Sequence, residues 1–160
     1  MTVDNNLDER FWQWCLNRYE NRELRESLLE AQDTHGVIVL EVMLAAWLAE
    51  RGVPYDAAVR RAALARARPW HDEVVAPLRV RRGVWKTDRP PALYERIKQL
   101  ELQAERELAA LLVAGLPGLD AGPAIECRKS LMALVADGAG DSDGSAACLR
   151  RLAHRFDQIS

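Results

Sequence analysis

Five ionisable side chains stand where the helical pattern of this chain calls for hydrophobic ones. They are Arg18, His35, Glu41, Arg81 and Glu101. At about 100° per residue, for example, Arg81 falls on the apolar face of residues 77–86. Glu101 falls in the same way inside the apolar stripe of residues 93–112. A charge on an apolar face is costly unless it is paired. The pattern therefore predicts that these side chains meet, either in an internal polar network or in a pocket, and it leaves both open.

A basic cluster follows Pro77-Leu78. Its members are Arg79, Arg81, Arg82 and Lys86. In one interpretation the cluster forms an anion site, because guanidinium groups bind carboxylate or phosphate in a bidentate manner. Gln32, at the edge of its helix's inner face, joins it as a binding candidate. The interpretation we favour is that Arg81 pairs with Glu101 or Glu41 and the other cations form a solvated face.

The sequence supports a catalytic role less than it supports anion binding. The sequence contains no nucleophile elbow, phosphate-binding glycine loop, Cys-x-x-Cys or His-Glu-x-x-His motif. We therefore predict no catalytic residue, and name His35 and Glu101 as proton-transfer groups only if the protein is an enzyme. Glu105 would extend a carboxylate-rich metal site, but helical di-metal sites use repeated Glu-x-x-His pairs and this chain has none. No metal and no cofactor are predicted.

Aromatic residues provide a different candidate. Five tryptophans in 160 residues is a high count, and most should lie in the core. Trp12 and Tyr19 lie to one side of the first helix's inner face. They predict an exposed aromatic patch that contacts a protein partner.

Composition limits the protein class. The chain has 22 basic and 24 acidic residues and a formal net charge of −2, which argues against a dedicated nucleic-acid binder. Three cysteines without paired spacing fit a reducing cytosol. The first ten residues show no secretory signal, and the most apolar run, residues 37–49, is too short to span a bilayer. These features predict a cytoplasmic protein without a membrane span.

Helical periodicity recurs along the chain, whereas strand signals are nearly absent. The predicted fold is all-α, a compact bundle of about six to eight helices. The predicted spans are 7–19, 22–35, 37–51, 55–66, 70–86, 93–116, 121–135 and 146–157. We divide the chain into a helical domain (1–136), a flexible linker rich in Gly, Asp and Ser (137–145) and a C-terminal docking helix (146–160). The docking side of that last helix would be formed by Leu149, Leu152, Ala153 and Phe156.

Several motifs together carry a family resemblance. They are Phe11-Trp12 with Tyr19, Gln32-Asp33-x-His35-Gly36, Trp47-Leu48-Ala49, Trp70…Pro77-Leu78-Arg79-x-Arg81-Arg82…Lys86, and Lys98-x-x-Glu101-Leu102-x-x-Glu105. Over about residues 8–115 the chain resembles a small proteobacterial family of conserved hypothetical proteins, described only as a domain of unknown function. It departs from that family at Glu41, where a neutral residue such as Asn is expected. The resemblance implies a soluble, helical, bacterial cytoplasmic protein and transfers no reaction.

Two functions remain in view. The first is a non-enzymatic interaction or regulatory module that binds a protein partner through exposed aromatics and the edge formed by Arg79, Arg82 and Lys86. The alternative is a small-molecule binder or enzyme that acts on an anionic ligand through an internal Arg/His/Glu site. The alternative requires a pocket at the inward charges, whereas the first function does not.

Overall fold

The part of the chain that the structure describes is helical, with short connections between the helices. The computed structural model describes residues 6–118, 122–136 and 143–159, and it contains no β-strand among them. The helices are α1 (Leu7–Tyr19), α2 (Arg22–His35), α3 (Val39–Glu50), α4 (Ala57–Trp70), a π-helical segment (His71–Val75), α5 (Ala76–Asp88), α6 (Pro91–Ala114), α7 (Cys127–Ala136) and α8 (Asp143–Ile159). The all-α prediction is confirmed. The described residues form eight α-helices, or seven if α4, the π-helical segment and α5 are counted as one.

Short polar residues and a glycine set several of the helix ends. The Asn21 side chain accepts a hydrogen bond from the Leu24 N–H (3.0 Å), and Asp56 caps α4 by accepting one from Val59 (2.9 Å). Gly36 ends α2 in the left-handed conformation (φ 63°), which glycine adopts without a steric penalty. The observed end at His35 agrees with the predicted span 22–35.

The fourth and fifth predicted helices are one continuous helix, so the predicted break between them is wrong. This helix contains Pro69 and Pro77, and the π-helical segment lies between the two prolines. The Ala76 N–H bonds to the His71 carbonyl, five residues back, which is the π-helical pattern. Each proline lacks an N–H and so weakens the regular ladder on either side of the wider turn.

Helix α3 lies at the centre of the fold. Every residue from 40 to 49 is buried, as expected for a helix that is apolar on all sides. Helices α1, α2, α6 and α7 pack around it. The Phe11 ring of α1 lies 5.2 Å from the Trp47 ring, centroid to centroid. Glu41 is therefore carried into the centre of the core by the helix to which it belongs.

Helix α8 covers α2 and α7. The residues predicted to dock are all buried: Leu149, Leu152, Ala153 and Phe156. The Phe156 ring stacks on Trp14 at 6.0 Å. The helix begins at Asp143, so residues 143–145 of the predicted linker are helical, while residues 137–142 lie outside the described residues. The division into domain, linker and docking helix stays a prediction.

No helix in the described ranges is both long enough and apolar enough to cross a membrane.

Candidate functional site

A small pocket opens where α1, α2, the start of α3, the π-helical segment, α5 and α6 meet. Its volume is about 130 Å³. The apolar part of its wall consists of Trp12, Leu16, Ile38, Val39, Leu40, Met43, Leu102 and Leu108. The other lining residues are Cys15, Tyr19, Gln32, His71, Arg79 and Glu105. A concave apolar wall with a few convergent polar groups is the usual arrangement of a small-molecule site.

The polar end of the pocket is organised by Arg79. This residue of α5 donates from Nη2 to the Glu105 carboxylate (2.8 Å) and from Nε to Glu101 (3.4 Å). Because Glu101 and Glu105 are four residues apart on α6, both point toward the same side of the helix. Arg79 therefore bridges two carboxylates one turn apart and also lines the pocket.

Glu101 is held more firmly than Glu105. Both Nε and Nη2 of Arg82 donate to Glu101, in addition to the longer bond from Arg79. The Glu101 side chain is 9% exposed, whereas the Glu105 side chain is 28% exposed and lines the pocket. Arg82 and Glu101 thus form a support behind the pocket, while Arg79 and Glu105 form its surface.

Burial shifts the acid–base properties of this end of the pocket. Burial raises the pKa of the Glu105 carboxyl above its ordinary value, and the hydrogen bond from Arg79 opposes that shift. Burial also raises the pKa of the Tyr19 phenol, and the negative charge of Glu105 adds to that effect. The hydrogen bond to Glu101 raises the pKa of Arg82. Glu105 is therefore a carboxyl that is more easily protonated than an exposed glutamate.

The π-helical segment contributes His71 to the same wall. His71 is the first residue of that segment, its side chain is 15% exposed, and its Nδ1 lies 2.9 Å from the Asp72 carboxylate. Single π-helical turns inside α-helices are frequent at functional sites because they redirect side chains from the regular face. Here the segment coincides with the pocket, which marks this wall as a functional candidate independently of its volume.

The prediction that Arg81 points inward is wrong. Arg81 is exposed, as are Val80 (69%) and Val84 (48%). The face of α5 that meets α6 carries Arg79 and Arg82, whose side chains pair with the glutamates of α6. Because charged pairs rather than apolar residues form much of this contact, the hydrophobic pattern of α5 pointed to the wrong side of the helix.

The five predicted network residues do not meet in one place. Glu41 accepts hydrogen bonds from Arg60 Nε (2.6 Å) and the Tyr55 hydroxyl (3.0 Å). The remaining pairs are Arg18 with Glu50 (2.8 Å), His35 Nδ1 with the Ser145 hydroxyl (3.2 Å), and Glu101 with Arg79 and Arg82. The single predicted network is thus several local clusters, which we distinguish as the Glu41 cluster (Glu41, Arg60, Tyr55) and the pocket cluster (Arg79, Arg82, Glu101, Glu105).

The predicted aromatic surface is also wrong in part. Trp12 is buried, with 8% of its surface exposed, and Tyr19 is half-buried. Both line the pocket, so they face a cavity rather than forming a flat exposed patch. The reason is that α6 packs against α1 and covers the side of the helix that the sequence left free.

The other candidates are divided between pocket and surface. Gln32 is half-buried and lines the pocket, whereas Lys86 is exposed. His35 and Glu101, named for an enzyme, do not line the pocket, and His35 contacts the C-terminal helix instead. No group of three or more His, Cys, Asp or Glu residues in the described ranges is placed to hold a metal ion.

The sequence reasoning missed three residues. Arg60, 8% exposed, lies on the buried face of α4 with Ala63 and Ala67, at spacings of three and seven residues. The periodicity test that selected Glu101 would have found it, had it been applied to α4. Tyr55 and His71 gave no comparable signal, since one lies before a helix and the other in a π-helical turn.

The fold and the pocket together define an all-helical protein with a compact, partly charged cavity. A family model, described as a protein of unknown function (DUF2390), matches residues 10–112. The chain belongs to this family. Every residue that lines the pocket falls within the matched segment, whereas α7 and α8 lie beyond it. Neither a curated protein nor a solved structure matches the chain.

Proposed function

We propose that this protein binds a small anionic molecule with a compact apolar part, which occupies the pocket of Arg79 and Glu105. The observation that carries the proposal is the convergence of a cavity, a bridging arginine and a π-helical turn at one place. The sequence raised an anionic ligand and an internal Arg/His/Glu site as its alternative. The pocket presents those residue types as Arg79, His71 and Glu105.

The volume of the pocket limits the size of the group that enters it. Pockets for drug-sized ligands measure about 300–1,000 Å³, whereas an apolar cavity of about 150 Å³ holds one benzene molecule. At about 130 Å³, this pocket is close to the smaller of these sizes and encloses at most one ring or a short branched chain. A larger ligand would extend over the rim, where Leu16 (41% exposed) and Leu102 (52% exposed) offer apolar contact.

The charge of the ligand follows from the donors at the polar end. The two ion pairs of Arg79 use Nε and Nη2, and a guanidinium carries five N–H donors in all. Its remaining donors match a planar anion such as a carboxylate. Gln32 and Tyr19 line the same pocket, and an amide and a phenol can both donate and accept hydrogen bonds.

A protein partner is the second candidate function, in the form of one apolar side chain that enters the pocket. The exposed Leu16 and Leu102 support it, because a polypeptide segment would cover this apolar rim. The edge proposed from the sequence supports it less, since Arg79 and Arg82 are engaged with Glu105 and Glu101. No reaction is part of either proposal.

Blocking the rim tests the pocket. We expect ligand-observed NMR to detect binding of benzoate and benzamide to the wild type. Leu16→Trp has a larger side chain that closes the opening, so its binding should be absent or about tenfold weaker, which corresponds to about 1.4 kcal/mol. Leu29→Trp is the matched control, because Leu29 is similarly exposed (37%) and does not line the pocket. Equal binding by Leu16→Trp and the wild type would show that the probes bind elsewhere.

A further inference from the structure

We infer that the pocket takes a compact monocarboxylate together with one proton, and that Glu105 holds this proton while Arg79 binds the ligand's carboxylate. The inference rests on the proposed function and names its ligand class and its dependence on pH. It starts from the arrangement in which one guanidinium serves two carboxylates at the wall of a cavity.

Of the two glutamates, Glu105 is the one that a ligand can displace. Glu101 accepts from Arg82 as well as from Arg79, and it does not line the pocket. Among the described residues Glu105 accepts from Arg79 alone, and Glu105 lines the cavity. The carboxylate of an entering ligand therefore competes with Glu105, and not with Glu101, for the donors of Arg79.

A ligand carboxylate places a second negative charge beside Glu105. Like charges within about 4–6 Å of each other disfavour the ionised form, so one of the two carboxyl groups takes up a proton. Burial already favours the protonated form of Glu105, since it raises the pKa of this carboxyl. The titratable groups that face Glu105 or line its pocket are Arg79, Arg82, Glu101, Tyr19, His71 and Cys15.

The proton balance is simple. Solvent supplies one proton to the Glu105 carboxylate, and the resulting O–H donates to an oxygen of the ligand's carboxylate. Arg79 keeps its positive charge and donates to the same ligand. The charge at this end of the pocket is then the same before and after binding, because the added negative charge and the added proton cancel. This balance avoids an uncompensated charge in a partly buried site.

Three ring-matched probes test the ligand class. Benzoate, benzamide and benzylamine have similar size and carry a negative, a neutral and a positive substituent. Calorimetric titration of the full chain should show the tightest binding for benzoate. Tighter binding of benzylamine would overturn the inference, since Glu105 would then be the anchor for a cation. Binding of benzamide as tight as that of benzoate would also overturn it while leaving the pocket in place.

Proton uptake is measured by titrating benzoate in two buffers of different ionisation enthalpy. We expect uptake of close to one proton, and affinity that falls about tenfold per pH unit above the Glu105 pKa. The range from about pH 5.5 to 8.5 is suitable because free carboxyl groups near pKa 4 are ionised throughout it. Affinity that does not change with pH, without proton uptake, would overturn the inference.

Variants assign the proton to its residue. Glu105→Gln carries a neutral amide that resembles the protonated acid, so it should bind benzoate with affinity independent of pH. Glu107→Gln, an exposed glutamate of the same helix, should behave as the wild type. His71→Gln should retain the proton uptake, because the proton is assigned to Glu105 and not to the imidazole that lines the same pocket. Loss of uptake in His71→Gln alone would place the proton on His71 and overturn the assignment.

Failure of all three probes to bind the wild type would instead refute the proposed function itself.

Discussion

The Glu41 cluster and the pocket cluster use the same chemistry in two different surroundings. In each, a glutamate accepts from an arginine on a neighbouring helix. The side chains of Glu41 and Arg60 are 4% and 9% exposed, whereas those of Glu105 and Arg79 are 28% and 22% exposed. The first pair is sealed in the core, and the second borders a cavity.

This difference determines what each pair can do. A sealed pair cannot meet a ligand, so its energetic effect is on folding, where the loss of one partner leaves a charge without compensation. A pair beside a cavity can exchange one partner for a ligand, and its exposure to solvent reduces the cost of breaking it. Similar side chains are therefore consistent with a structural role in one place and with the proposed binding role in the other, and their exposure separates the two.

Arg60→Met should have the largest effect on stability. It removes the charge that faces Glu41 while conserving much of the side-chain volume, and breaking a buried pair in this way costs about 3–5 kcal/mol. Denaturant titration measures that loss. Arg61→Met is the control, because the neighbouring arginine is exposed and should change stability by less than about 0.5 kcal/mol. A cost for Arg60→Met no larger than the control's would mean that the Glu41 cluster is not a structural ion pair.

The pocket cluster should contribute less to folding stability than the Glu41 cluster, and its contribution should appear in the pH dependence of the unfolding free energy. The pKa of Glu105 is raised above 4.5 in the folded state, so the folded state holds its proton more tightly than the unfolded chain does. The stabilisation from this proton is fully present below about pH 4.5 and is lost as pH rises through the folded value. The unfolding free energy is measured for each protein across that pH range. In the wild type and in Glu107→Gln it should include a decline with rising pH that comes from the Glu105 proton, and in Glu105→Gln this decline should be absent. An unchanged profile in Glu105→Gln would mean that Glu105 ionises as it does in the unfolded chain.

The two clusters also show how far the sequence could be interpreted. The helices followed from periodicity, and the most apolar run of the sequence, residues 37–49, contains the buried helix α3. Glu41 was found for the same reason, as a charge among apolar neighbours. Arg60, the partner of Glu41, does carry a periodic signal on α4, because it shares a buried face with Ala63 and Ala67. The pairing of α5 with α6 leaves no such signal, since charged pairs rather than buried apolar residues form that contact.

Arg81→Met should have the smallest effect and sharpens the comparison within one helix. The sequence predicted that Arg81 points inward and pairs with a glutamate, so that its loss would leave that glutamate unpaired. In the structure Arg81 is exposed, as are Val80 and Val84. Substitution of such a surface residue changes stability by about 0.5 kcal/mol or less. The unfolding free energy should therefore stay within that margin of the wild type, and benzoate affinity should not change. A loss of stability approaching that of Arg60→Met would show that α5 presents a different face to α6. Arg79 would then no longer be the arginine that lines the pocket.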